Sequence, residues 1–129
     1  KSRLTVENDD KASMYSVRDL YDGVYTRIGI PIVFDYHHHW CYDDPMPEKD
    51  ALYLAATTWP EEIRQLVHYS SCKKLHEDSS VVNRAHADHI YEKVNSHGLS
   101  IDVDLEAKAK DLALMNYLKK YETILVDQI

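Results

Sequence analysis

Four times along this chain a short run rich in β-branched residues gives way to a longer segment whose apolar residues recur at helical intervals. That alternation admits few folds, because a strand that must reach the next strand through a helix pairs with it in parallel, by a right-handed crossover. Residues 3–7 (RLTVE) read as a strand that runs into the polar turn 8–11. A helix over 16–28 follows: Ser16 and Asp19 have the spacing of a capping box, Val17, Leu20, Val24 and Ile28 form the apolar stripe, and Gly29 ends it. The cycle repeats with a strand at 30–36, a polar loop at 37–44 and a helix at 47–58 that carries Leu52, Ala55, Ala56 and Trp59 on one side. A third strand at 65–69 leads into a polar connection, 70–80, and a helix over 83–95 closed by Gly98. The fourth strand is 101–105, and a last helix, 107–125, has Leu114, Leu118, Tyr121 and Leu125 at helical spacing.

The fold class expected is therefore α/β, four consecutive βα units in one partial domain over residues 1–129. A (β/α)8 barrel needs eight such units and about 250 residues, so this sequence amounts to half a barrel. The fourth strand favours a barrel over an open sheet. Ile101, Val103 and Leu105 share one face and Asp102, Asp104 and Glu106 the other, whereas strands buried in a doubly wound sheet read as continuous apolar runs. An acidic inner face suits a lumen that holds cations; an edge strand in water alternates in the same way.

Composition narrows the classes further. With 44% apolar and 29% charged residues and three glycines, the chain is globular rather than disordered or fibrous. Cys41 and Cys72 lie far apart with no CxxC partner, as in an intracellular protein with reduced thiols. No uncharged stretch is long enough to cross a membrane, and the first ten residues lack the features of a signal peptide. The formal charge of −7 excludes nucleic-acid binding by bulk electrostatics and leaves only a local site for it. The sequence opens on Lys1, already inside a strand pattern, which reads as a piece of something longer.

Barrel enzymes keep their chemistry at the carboxyl ends of the strands, and four such ends here carry acid, base or metal-binding side chains: Glu7, Asp35 with His37, His38 and His39, His68, and Glu106. Carboxylate mixed with imidazole suits Zn2+ or Mn2+. Each residue also has a plainer reading. Glu7 and Glu106 could cap the helices that follow them, His68 could be a satisfied core or surface histidine, and adjacent histidines diverge, so one or two of the three can face one cation. His76, His89 and His97 read as surface residues, while His86 begins a helix after a long loop, where a barrel places a residue over its mouth. Trp40, Trp59 and the ten tyrosines suit base stacking or, more commonly, packing.

Residues 4–11 (LTVENDDK), 29–39 (GIPIVFDYHHH), 58–60 (TWP), 67–71 (VHYSS), 84–88 (RAHAD) and 105–110 (LEAKAK) closely resemble, in order, the C-terminal half of the UV damage endonuclease family. The resemblance implies a TIM-type barrel with up to three divalent metals, usually Mn2+ with Zn2+ or Mg2+ as alternatives. It implies a phosphodiester hydrolase that nicks double-stranded DNA 5′ of UV photoproducts. Clustered metals would generate the nucleophile at neutral pH and stabilise the charge on the attacked phosphate, and a damaged base pair is easier to extrude than an intact one. By position, the implied ligands are Glu7, Asp35, His38, His68, His86 and Glu106, with Glu7, Asp35, His68 and Glu106 carrying the chemistry. The family's N-terminal half, which supplies further ligands and the group that probes the lesion, lies outside these residues, so the 129-residue chain alone is expected to be incomplete. Leu66 stands where many relatives carry Lys. The implied location is intracellular: cytoplasmic in a prokaryote, nuclear or mitochondrial in a eukaryote. Two alternatives remain at this stage, a sugar isomerase or epimerase with a similar metal barrel, and a non-catalytic half-barrel remnant.

Overall fold

In the computed structural model, which describes residues 3–121, strand β2 (Ile32–Asp35) is buried along its whole length. Three β-branched or bulky residues closed by an acid form it, and it lies between β1 (Val6–Glu7) and β3 (Gln65–Tyr69), parallel to both. The register pairs Val6 with Ile32 and Glu7 with Val33, then Phe34 with Val67 and Asp35 with His68. With β4 (Ile101–Leu105) the sheet has the order β1-β2-β3-β4, a parallel α/β arrangement that follows the chain without reversal.

The chain divides into two compact units where the sequence reading has one domain. The first comprises residues 1–68 and 96–104 and holds the sheet up to the last residues of β3 and β4; the second comprises 69–95 and 105–129. In the first unit, Ser16 caps α1 (Val17–Leu20) with the expected reciprocal pair: its hydroxyl accepts from the Asp19 amide at 3.1 Å and its own amide donates to the Asp19 carboxylate at 3.0 Å. The helix widens into a π-type turn at Tyr21–Tyr25 and resumes as α2 (Thr26–Ile28), and Gly29 stops it in the left-handed conformation at φ 67°. Val17, Leu20, Ile32, Phe34, Leu52, Ala55 and Val67 form the buried core of this unit.

Both ends of β2 are held by side chains that stand in for a neighbouring strand. At its start, the Thr58 hydroxyl accepts from the Ile32 amide at 2.9 Å and donates to Ala55 at 2.6 Å, while the Trp59 indole donates to the Ile32 carbonyl at 2.8 Å. Thr58 and Trp59 follow α4 (Glu48–Ala56), so the helix that covers the sheet also satisfies the strand beneath it.

Several expected boundaries are corrected. The polar loop at 37–44 is helix α3 (Tyr36–Tyr42), because the Asp35 carboxylate caps it by accepting from the His38 amide at 2.9 Å, and Asp43 closes it in the left-handed region. In the second unit the polar connection contains α5 (Lys73–His76), and the helix expected over 83–95 does not form. Its backbone groups are taken by other segments. His86 forms an antiparallel bridge with Cys72, the Ala87 amide donates to Ser71 at 2.9 Å, Lys108 and Ala109 donate to the carbonyls of Ala87 and Asp88, and the Tyr117 hydroxyl accepts from the Val94 amide at 3.1 Å. A helix would have to give up all of these. The same bonds delay the last helix, α6, which spans Asp111–Tyr121 rather than beginning at 107, and the Leu125 end of that expected helix falls outside the described residues. On β4, Val103 is exposed along with Asp102 and Asp104 instead of being covered by helices, as befits the last strand in the sheet order. Among the described residues no helix is long and apolar enough to cross a membrane.

The second unit is stapled by Glu77. Its carboxylate accepts from the Tyr91 hydroxyl at 2.6 Å, from the Asp88 amide at 2.9 and 3.0 Å and from Lys73 at 3.3 Å. Burial alone would raise the pKa of this carboxyl, but those donors outweigh it and bring it down to about 2, while the carboxylate pushes the Tyr91 hydroxyl up to about 12.

Two predictions follow from these bonds. Thr58→Val keeps the shape of the side chain and leaves the buried Ile32 amide without its acceptor, so urea denaturation is expected to show a loss of ~1–3 kcal/mol at an unchanged slope; an unchanged midpoint would mean that the bond contributes nothing. Because the folded pKa of Glu77 lies below its unfolded value of 4.5, its stabilisation is complete above that value and is lost as pH falls towards 2. Amide exchange at Asp88 is therefore expected to accelerate across that interval in the wild type and to lose this pH dependence in Glu77→Gln.

Candidate metal centre

In parallel strands, paired residues point to the same side of the sheet and so do residues two apart. The register therefore sends Glu7, Asp35 and His68 to one face, at the carboxyl ends of three adjacent strands, while Val6, Phe34 and Val67 face the other way. Within the first unit each of these three side chains offers a ligand atom, and the atoms lie within 4.8 Å of one another. His68 Nδ1 donates to Glu7 Oε2 at 3.1 Å, and His68 Nε2 is 3.7 Å from the Asp104 carboxylate. Asp35 is fully buried, and its Oδ2 has no exposure to solvent.

Of the histidine run, the turn of α3 brings one member to this group. His38 is three residues beyond Asp35 on the helix, and its Nδ1 lies 3.4 Å from Glu7 Oε2 and 3.6 Å from Asp35 Oδ2. His39 turns away to the Met46 carbonyl at 2.9 Å and the Asp44 carboxylate, and the His37 ring is buried against Trp40. The other histidines that read as surface residues have partners of their own: His97 pairs with Glu48 and His76 with Glu92, each at 2.6 Å, and His89 Nδ1 is 3.3 Å from the Asn116 amide.

The remaining two residues of the expected set belong to the second unit. His86 sits in the short bridge with Cys72, half-buried. Glu106 follows β4 directly; its amide donates to the Tyr69 carbonyl at 2.8 Å, which extends the β3–β4 ladder by one step, and its Oε1 is buried.

Electrostatics in the first unit favour the charged carboxylate. Burial would raise the pKa of Glu7, but hydrogen bonds with His68 and Asp35 and the charges of His68 and His38 overcome it and hold the carboxyl below its ordinary value. Two carboxylates and an imidazole, so closely spaced and partly buried, match the hard and borderline donors that divalent cations of the Mn2+ and Zn2+ type accept. Two ligands of one ion held at roughly 2.0–2.2 Å stand no more than about 4.4 Å apart, so side chains whose ligand atoms lie within 4.8 Å of one another need only a small closing movement to share an ion.

Two residues were not singled out by sequence reasoning. Asp104 was legible as part of the alternating acidic face of β4. Asn8 is almost fully buried, and its carboxamide spans the Asp35 backbone, donating to the Asp35 carbonyl at 3.0 Å and accepting from the Asp35 amide at 2.8 Å. Its place directly after Glu7 at a strand end was the signal available, and a polar turn was the more ordinary reading of it.

Residues 1–128 match the family described as UV-endonuclease UvdE. A UV DNA damage endonuclease of Bacillus pumilus (strain SAFR-032) is 36% identical over 134 residues, covering 96% of this chain and 39% of the relative. One from Nostoc sp. (strain PCC 7120) is 34% identical over 119 residues, covering 88% of this chain and 34% of the relative. Among solved structures, SacUVDE superposes with a TM-score of 0.75 and 29% identity, over 95% of this chain and 40% of that one. The chain thus spans between 34% and 40% of the length of these three proteins. A match over all but the last residue, together with these relatives, places the chain in the UvdE family of UV-endonucleases.

Proposed function

We propose that these residues form part of a metal-dependent DNA repair endonuclease that hydrolyses a phosphodiester 5′ of UV photoproducts in double-stranded DNA. The observation that carries the reading is the gathering of Glu7, Asp35 and His68 at adjacent strand ends. Family membership supports the substrate class, and the relatives are named for action on UV-damaged DNA. The sequential strand order supports half of a (β/α)8 barrel, since it lacks the reversal that creates the binding crevice of a doubly wound sheet. In this reading the half-barrel is C-terminal and an N-terminal half completes it.

The ligand set proposed is Glu7, Asp35, His38, His68, His86 and Glu106, holding up to three ions, with Mn2+ as the natural occupant. Bound there, divalent cations would supply Lewis acidity and charge neutralisation at the scissile phosphate. The chain's own contribution is to hold that charge in place. Glu7 stays ionised because His68 and His38 face it, the capping bond from His38 fixes the Asp35 carboxylate, and the strand ladder sets the spacing between Asp35 and His68. This arrangement lets a protein with a formal charge of −7 approach a polyanion, since cations in a local site offset the negative field where DNA docks.

The direct test is Mn2+-dependent nicking of UV-irradiated against unirradiated plasmid by the longest natural polypeptide that contains these residues. Cleavage confined to irradiated DNA is expected, and Glu106→Gln in that polypeptide is expected to abolish it with an unchanged circular dichroism spectrum. No cleavage by a folded, metal-loaded protein would overturn the reading. Calorimetry on the 129-residue chain is expected to show fewer than three Mn2+ bound. Asp35→Asn should weaken that binding at least tenfold, about 1.4 kcal/mol, while α3 survives, because asparagine caps helices as well as aspartate does. Equal affinity in the variant would remove Asp35 from the site.

A further inference from the structure

Asn8 contacts both Asp35 and His38 with different parts of itself. Its side chain pairs with the Asp35 backbone in both directions, at 3.0 and 2.8 Å, in the manner of one more rung of the β1–β2 ladder. Its backbone carbonyl lies 2.7 Å from His38 Nδ1. A carbonyl oxygen only accepts, so the ring proton sits on Nδ1, and the two other groups near that nitrogen, the carboxylates of Glu7 and Asp35, are acceptors as well. The neutral His38 ring therefore carries its lone pair on Nε2. The His38 amide closes the loop by donating to Asp35 Oδ1 at 2.9 Å. Asn8 itself is 2% exposed, so these bonds exchange little with water.

We propose that Asn8 is a positioning residue: its carboxamide fixes where the Asp35 carboxylate stands, and its carbonyl fixes the His38 tautomer that presents Nε2 to a cation. The inference rests on the metal reading given above. Partners that orient a ligand without touching the metal commonly change affinity 10- to 100-fold when removed. Asn8→Ala is accordingly expected to weaken Mn2+ binding by about that factor. Asn8→Asp gives a test of sign. It keeps an acceptor for the Asp35 amide but sets an oxygen against the Asp35 carbonyl, and it adds a negative charge next to the site. Simple electrostatics predicts tighter cation binding in this variant, whereas loss of the clamp predicts weaker binding.

The experiment is calorimetric titration of the 129-residue chain and both variants with Mn2+, together with long-range 1H–15N spectra of the His38 ring and amide exchange at Asp35 in the metal-free protein. Weaker binding in both variants, an Nδ1-protonated His38 in the wild type, and Asp35 exchange that is slow in the wild type and fast in folded Asn8→Ala would support the proposal. Unchanged or tighter Mn2+ binding in Asn8→Asp, or a wild-type His38 protonated on Nε2, would overturn it. Should Asn8→Ala fail to fold, the wild-type tautomer and the Asn8→Asp titration still decide. Should the 129-residue chain bind no Mn2+, the same titrations on the longest natural polypeptide that contains these residues decide the binding arm, and the tautomer and exchange results judge the positioning role separately.

Discussion

Asp35 is a fully buried carboxylate at the end of a fully buried strand, and much of the first unit can be understood as the means of keeping it there. Burying an ionisable group without partners is costly, so each polar atom around it must be provided for. The side chain caps α3 and faces His38, the backbone is clasped by Asn8, and the strand beyond it is closed by Thr58 and Trp59. The apolar residues of β2, Ile32, Val33 and Phe34, contribute the burial that makes such a low-dielectric position possible. Packing and site are thus one construction: the strand that anchors the core also delivers the acid.

That coupling has an electrostatic consequence. Glu7, Asp35 and Asp104 bring three carboxyl groups to one side of the sheet, and the imidazoles of His38 and His68 are set against them. Carboxyl groups mixed with imidazoles are a donor set that divalent cations of the Mn2+ and Zn2+ type accept. The same donors that hold Glu7 ionised also keep it a good ligand. In the second unit a comparable carboxylate, Glu77, is surrounded by Tyr91, Lys73 and a backbone amide and is satisfied within the protein. The contrast is one of partners: hydroxyl, ammonium and amide donors surround Glu77, while Glu7 shares the imidazoles of His38 and His68 with Asp35 and Asp104.

Much of this was legible in the residues. The capping box at Ser16, the stop at Gly29 and the order of the four strands come from local chemistry that operates over a few residues, and they appear where that chemistry puts them. Glu7, Asp35 and His68 stood out because each ends a strand, and parallel strands bring their ends together whatever the connecting segments do. Less legible were elements whose backbone bonds are made at long range. Residues 83–95 have a helical pattern, yet their amides and carbonyls go to Ser71, Lys73, Lys108 and Tyr117. The run 37–44 looked like a loop by polarity, and one capping carboxylate made it a helix.

The sequence by itself determined the four strands, the capped start and glycine stop of the first helical segment, and the acidic and imidazole side chains at the strand ends, because periodicity and capping depend on neighbours within a turn or two. Spacing alone left open which histidine of three faces the acids, a choice that the family resemblance made and the turn of α3 accounts for, and tertiary structure alone decided that Asn8 is buried rather than part of an exposed turn and that a helical pattern gives way to a bridge. The physical reason is that those outcomes turn on where a buried donor or acceptor finds its partner, and for Asn8 and Asp35, or for Cys72 and His86, the partner is remote in the chain and becomes a neighbour only once the strands have packed.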